Sequence, residues 1–381
     1  MRSKLFLALS LLIVASMVLA ACAPSAAPEE PAAPAEPAAP EEPAAPEEPA
    51  EPAAPEEPAE EPAMGPEMKN PDTLIFATIG EPETIDPAWT YETAGSAIEN
   101  NVYENLVWFN REKTDEFVGV LATDWSVNDV GDVWTFNIRE GVTFHEGGTL
   151  EPHDVAYSVQ RALLQDRIDG PHWMTLEAFF GLYTVEDLAV GDTGKEFADL
   201  SADELVAACE AVKAAVVADD EAGTVTYTLA APTPWFLAMM VNSFLGAVLD
   251  QEWMVEQGAW DGSCDNWVQW HDPAAEDTVI FNVANGTGPY KLDHWTPGEE
   301  IVLVANENYW RAEGDPIWEG GPSGVASVQN IVIKSVDEWG TRQAMFEAGD
   351  ADYIYVPSQY RPQLEEQYGV ICQADGSCEE T

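Results

Sequence analysis

Apolar and polar residues alternate by two through Val133-Trp134-Thr135-Phe136-Asn137-Ile138, which predicts a strand with Trp134, Phe136 and Ile138 on one face. Short β-rich runs at Thr73–Thr78, Thr224–Leu229, Ile301–Val304 and Ile331–Val336 predict further strands. The period lengthens over Ala94–Val107, where Ala97, Ile98, Val102, Leu106 and Val107 share a helical face. It lengthens again after Pro152, with Val155, Ala156, Val159, Ala162 and Leu163 apolar. A proline suits that first turn because the amide it lacks would be unpaired there. Ser201-Ala202-Asp203-Glu204 has the form of a reciprocal cap ahead of a helix over Leu205–Val217, and Gly340–Glu347 predicts another helix. Glu140-Gly141 reads as a turn into Val142–Phe144. Strands and helices alternate irregularly with long connections, so the predicted class is α/β, with mixed α+β sheets.

The first 70 residues fit neither period. Arg2 and Lys4 precede an apolar run from Leu5 to Val18, and Leu19-Ala20-Ala21-Cys22 follows. The run is short for a membrane span, which needs about 20 apolar residues, and it ends in small residues as a cleavable secretory signal does. Cys22 after Leu-Ala-Ala resembles the bacterial lipobox, in which the Cys thiol is acylated and becomes the first residue. The expectation is a lipoprotein with signal peptide 1–21, lipidated on Cys22 and held to the membrane only through its acyl chains. Residues 23–70 contain 14 Pro, 15 Ala and 13 Glu. Such a composition buries no core and favours extended polyproline II, reaching about 150 Å over its length. Residues 22–70 are therefore expected to form a disordered tether.

Composition then narrows the function. The chain has 69 acidic and 15 basic residues, a formal net charge of −54. Without residues 1–70, which hold 13 acids and three bases, the balance is still 12 − 56 = −44. Binding to a phosphate backbone needs clustered Lys and Arg, so nucleic acid is excluded as a partner. Basic-patch docking on a membrane is excluded on the same ground. Cys209, Cys264, Cys372 and Cys378 are disulfide candidates in an exported chain. Cys372 and Cys378 flank an Asp-Gly turn that suits a short bridge, and pairing of Cys209 with Cys264 is open. No Cys-x-x-Cys and no His pair at ligand spacing is present, so neither metal nor cofactor is expected.

Several stretches resemble one family. Leu121-Ala122-Thr123-Asp124-Trp125-Ser126 is followed by Trp134-Thr135-Phe136-Asn137-Ile138-Arg139-Glu140-Gly141-Val142-Thr143-Phe144-His145 and by Asp154-Val155-Ala156-Tyr157-Ser158. Then come Pro232-Thr233-Pro234-Trp235-Phe236-Leu237, Gly286-Thr287-Gly288-Pro289-Tyr290-Lys291-Leu292, Asn306-Glu307-Asn308-Tyr309-Trp310-Arg311 and Ala344-Met345-Phe346-Glu347-Ala348-Gly349-Asp350-Ala351-Asp352. In this order they resemble the family 5 extracellular solute-binding proteins, the dipeptide-, oligopeptide- and nickel-binding components of bacterial ABC importers. The resemblance implies a periplasmic-binding-protein-like, two-lobed clamp of which mainly lobe I is present. Residues 71–356 would be lobe I, with an acidic helical insertion at about 184–222, and 357–381 the start of a truncated lobe II.

The same resemblance implies capture of peptides or similar small solutes, and delivery to ABC importer permease subunits. The protein would act as a monomer when complete, lipid-anchored on the extracellular face of the cytoplasmic membrane or in the periplasm. It places Tyr91, Glu92 and Thr93 on the cleft, with Tyr91 to stack and Glu92 to meet a cationic group. Trp173 would cap the ligand, Ser243 and Phe244 would line it, and Thr287 and Gly288 would offer hydrogen bonds to an extended ligand. Oligosaccharide, nickel or haem are the alternatives within the family. A surface-anchored glycoside hydrolase, or a receptor or adhesin, is the alternative outside it. No nucleophile elbow, P-loop or singled-out carboxylate pair supports an enzyme, so no catalytic residue is expected.

Overall fold

The computed structural model describes residues 69–368. The chain divides into units Met1–Met64 and Gly65–Thr381, and all described residues belong to the second. The signal segment, Cys22, the tether up to residue 68, Cys372 and Cys378 lie outside the described residues.

In chain order the elements are β1 (Thr73–Thr78), α1 (Thr93–Val102), β2 (Val107–Asn110), β3 (Lys113–Gly119), β4 (Ala122–Val127), β5 (Val133–Ile138), α2 (Pro152–Gln165), α3 (Trp173–Phe180) and α4 (Val185–Val190). They continue with α5 (Ala202–Ala215), β6 (Val216–Asp219), β7 (Thr224–Thr228), α6 (Phe236–Met240), α7 (Ser243–Gly246), α8 (Gln251–Glu256), β8 (Tyr290–Thr296), β9 (Glu300–Ala305), β10 (Asn330–Ser335), α9 (Trp339–Ala348), β11 (Tyr353–Ile354) and α10 (Arg361–Tyr368). Three sheets result: β11-β1-β10-β9-β8, the pair β2-β3, and β4-β5-β7-β6. In the first, β1 runs parallel to both β10 and β11, while β9 is antiparallel to both its neighbours. The five-stranded sheet is mixed, the other two are antiparallel, and the α/β class expected from the alternation is the observed one.

The four-stranded sheet shows how the two-residue alternation works. Phe136 lies opposite Val225 and Trp134 opposite Tyr227 on the inner face, while Thr135 and Thr226 exchange a 3.2 Å hydroxyl contact on the other. Phe136, Phe179, Tyr227 and Phe236 fill the space behind it, with Phe136 and Tyr227 edge to face at 5.4 Å. Such aromatic pairs add to their area burial through edge–face attraction. Helix α2 packs against β6 and β7. Its start is held by a capping box, Glu151 with Asp154, and by Pro152 in the first turn. Helix α5 opens the same way, on Ser201 and Glu204.

The helix expected over Ala94–Val107 ends at Val102. The Val102 carbonyl accepts the Gly288 amide at 2.9 Å, and Tyr103 turns to extended backbone. Leu106 and Val107 are still buried, but Val107 begins β2. The approach is so close that a Cβ on Gly286 would lie 2.0 Å from the Val102 oxygen, and one on Gly288 2.5 Å from that of Asn101. Only glycine fits there. The helix expected over Leu205–Val217 ends at Ala215, and Val216–Val217 enter β6, the edge of the four-stranded sheet. The region 184–222 is thus built into the core: Val185, Ala189, Ala208, Val212, Ala215 and Val216 are all buried. A disulfide joins Cys209 of α5 to Cys264.

A smaller core of Ala77, Ala351 and Ile354 lies under β1 and β11, packed by Trp339, Met345 and Val356. The buried Arg342 secures it, donating to the Tyr355 carbonyl at 3.1 Å and to that of Val336. Ile331, Val332 and Ile333 of β10 remain half-exposed, and Tyr353 and Tyr355 are exposed.

Candidate functional site

The loop before α1 is fixed from below. Asp86 is fully buried and accepts the Ala88 amide at 3.0 Å. Arg161 of α2, also buried, donates to it with both terminal nitrogens, at 2.9 Å for Nη1–Oδ1. Paired donors of this kind set orientation as well as strength. Thr90 Oγ1 donates to the Thr84 carbonyl at 3.1 Å and closes the loop. Trp89 is covered by the Arg167 guanidinium at 3.5 Å from the ring centroid. With residues 84–90 pinned, Tyr91 and Glu92 emerge at the surface.

Tyr91 is exposed and meets Phe244 edge to face at 5.6 Å. Glu92 is the N-cap residue of α1; its Oε2 accepts the Tyr91 amide at 3.0 Å, and its Oε1 is buried without a partner. Gly95 makes room for that carboxylate, since a Cβ there would lie 2.8 Å from Glu92 Oε1. Thr93 faces the other way, into a cavity of about 360 Å³ between α1 and the five-stranded sheet, with Phe76, Ile79, Ala97, Ile333 and Tyr355. Ser243 lies under Phe244, buried, its hydroxyl unpaired. Trp173 is exposed in a separate cavity of about 500 Å³, its ring 6.4 Å from that of Tyr183. Tyr91, Glu92, Ser243 and Phe244 are therefore brought together, while Thr93 and Trp173 line neighbouring hollows.

Thr287 and Gly288 are buried and hydrogen-bonded within the fold. Thr287 is fully buried and donates to Glu104 at 2.8 Å. The Gly288 amide is taken by Val102, and its carbonyl lies 2.9 Å from His145 Nε2 and accepts Asn306 Nδ2 at 3.2 Å. Their hydrogen bonds hold the end of α1. Glu104 also accepts from Tyr309 Oη at 2.7 Å and Trp310 Nε1 at 2.6 Å. Burial raises its pKa, and these donors lower it in part.

Sequence reasoning passed over Glu99. It is buried to 1% exposure on α1, and neither carboxylate oxygen has a hydrogen-bond partner. Burial raises its pKa from 4.5 to about 8; the nearby Thr90 and Ser243 hydroxyls lower it in part, and the charges of Glu92 and Asp86 raise it further. Tyr103 Oη and His172 Nε2 are also buried without partners in this corner. Burial pushes the His172 pKa down to about 4, so the ring is neutral. The sequence signal for Glu99 was a charge between Ile98 and Val102 on the apolar side of α1.

His153 groups acids of the metal-binding kind: Glu151 and Asp220 at one ring nitrogen, Asp154 and Glu252 at the other. Both nitrogens are engaged in ion pairs, 3.2 Å to Asp220 and 3.1 Å to Glu252. Burial opposes the imidazolium, but these carboxylates raise its pKa on balance. The cluster ties the start of α2 to the β6–β7 turn and to α8.

The arrangement is a surface of aromatic and acidic side chains, and known proteins share its scaffold. The fold aligns with the oligopeptide-binding protein OppA of Haemophilus influenzae in complex with RPPGFSPFR, at a TM-score of 0.54 and 18% identity, over 79% of this chain and 50% of that one. It aligns with the murein tripeptide-binding protein MppA of Escherichia coli at 0.53 and 20%, over 78% and 48%. The fold is thus of the periplasmic-binding-protein type. The profile of the bacterial extracellular solute-binding proteins, family 5 Middle, matches residues 116–375, and the chain belongs to that family. Similar curated proteins include the dipeptide-binding protein DppE of Bacillus subtilis, 24% identical over 78% of this chain and 45% of its own length. Heme-binding protein A of Haemophilus influenzae is 26% identical over 75% and 44%, and the oligopeptide-binding protein OppA of Salmonella typhimurium 28% over 66% and 39%. These relatives are solute-binding proteins, not enzymes. The chain spans less than half the length of each of these curated relatives.

Proposed function

We propose that this chain captures peptides or similar small solutes outside the cytoplasm and hands them, chemically unchanged, to the permease subunits of a bacterial ABC importer. The observation that carries the reading is the loop anchored by Asp86 and Arg161, which sets Tyr91 and Glu92 beside Phe244 in a member of this family. Residues 71–356 act as lobe I of a clamp, with 357–381 leading into lobe II. Binding proteins place ligands at such domain interfaces, where closure buries them. Relatives named for dipeptides and oligopeptides support a peptide as the solute, and the one named for haem makes haem the alternative.

Calorimetry of the full chain against di- and tripeptides and haem tests the reading. With lobe II in place, a peptide should bind and be recovered intact, and Trp173→Ala should weaken it by about 1–3 kcal/mol, as for a lost aromatic wall. Unchanged affinity in that variant removes Trp173 from the site; tighter binding of haem than of every peptide reverses the choice of ligand.

Lipidation of Cys22 anchors the protein, and the Pro/Ala/Glu tether carries the folded unit away from the bilayer. Cys22→Ala should release the protein into the medium or leave it unprocessed. A variant that stays in the membrane fraction at the normal processed mass would disprove the anchor.

A further inference from the structure

We infer that Glu99, acting with Glu92, makes this site selective for a solute that carries an ammonium or guanidinium group on a side chain. The inference rests on the solute-capture reading and names the chemistry of the solute. Glu92, Gly95 and Glu99 fall at i, i+3 and i+7, on one face of α1. Because Gly95 has no side chain, the Glu92 carboxylate lies down that face toward Glu99. Buried polar atoms are nearly always paired. Here Glu92 Oε1, both Glu99 oxygens and Ser243 Oγ have no partner at full hydrogen-bond geometry, although the Thr90 and Ser243 hydroxyls lie close enough to Glu99 to lower its pKa in part.

Among the described residues, no side-chain cation pairs with them. Arg161 is committed to Asp86, and the Thr90 hydroxyl donates to Thr84. The groups facing Glu99 are Asp86, Thr90 and Glu92 from the preceding loop and cap, Tyr103 from its own helix, and Ser243 from α7; Arg161 lies beyond Asp86. A ligand cation brings N–H donors and positive charge to a corner that lacks both. Without it, Glu99 keeps its proton up to about pH 8. As the cation enters, the Glu99 O–H ionises, the carboxylate stays to face the cation, and the proton leaves to buffer. The net charge of the folded part, 12 − 56 = −44, draws cations toward the surface in the same sense.

The test uses the full chain and six peptides, Lys-Ala-Ala, Ala-Lys-Ala and Ala-Ala-Lys with their Nε-acetyl-lysine twins, titrated by calorimetry in buffers of different ionisation heat. At least one charged peptide should bind ten times more tightly than its acetylated twin, with about one proton released at pH 6.5. Its affinity should rise by up to about tenfold per pH unit until Glu99 is ionised. Glu99→Gln, close in shape, should abolish the proton release and flatten that slope, and Glu92→Gln should shrink the preference for charge. Acetylated twins that bind as tightly as the charged peptides overturn the selectivity and leave solute capture standing. Failure of all six to bind at millimolar concentration overturns both.

Discussion

Replacing Arg161 with Met while leaving Asp86 in place should destabilise the fold by about 3–5 kcal/mol, the usual consequence of stranding one partner of a buried ion pair. Asp86 would keep the Ala88 amide but lose both guanidinium donors, in a fully buried position. The loss should extend to the site, because the same pair pins residues 84–90 under Tyr91 and Glu92. Asp86→Asn combined with Arg161→Met should recover part of the stability, since no charge is then left buried. Urea denaturation of the three variants measures the effect. A cost below about 1 kcal/mol for Arg161→Met would mean that the hydrogen bonds of Thr84 and Thr90 hold the loop unaided.

Stability should also fall as pH rises from 6.5 to 8, by about 2 kcal/mol, mainly through Glu99. In the unfolded chain this carboxyl ionises near its ordinary 4.5; in the folded chain it holds its proton to about 8. Between those values the folded state binds the extra proton, so each step up in pH favours unfolding. Glu104 and Asp154, raised chiefly by burial, act in the same direction. His145 and His172, pushed down to about 4 by burial, act oppositely, but only between about 4 and 6.5. Above pH 6.5 the carboxyl contributions are therefore unopposed by these histidines. Glu99→Gln should remove most of the decline. Profiles that stay parallel in the variant and the parent would show that Glu99 ionises at its ordinary value.

Where local pattern decided the structure, it could be read in advance. The strand Val133–Ile138 and the start of the helix at Pro152 are set by residues within a few positions of themselves, and both appear as expected. The end of α1 is set by Gly288, far along the chain, and no periodicity within Ala94–Val107 carries that information. The same holds for Thr287, whose role follows from Glu104 rather than from its neighbours in sequence. Tyr91, Glu92 and Phe244 came from family likeness, and the structure sets the Tyr91 and Phe244 rings 5.6 Å apart. Glu99 stayed hidden because a single acid beside an apolar helix face usually turns outward. Its burial depends on Ser243 and the Asp86 loop closing over it.

The Cys209–Cys264 bond gives the molecule a covalent ring containing β6, β7 and α6 to α8, and with them Ser243 and Phe244. The turn between β6 and β7 is exposed over Asp219–Ala222, the kind of place where a protease of the extracellular space cuts first. A cut there opens the ring without dividing the molecule. The nicked chain migrates as one species until a reductant is added, and then as two. Phe244 stays tethered to the part that carries Tyr91, so damage at this turn need not end the working life of the protein.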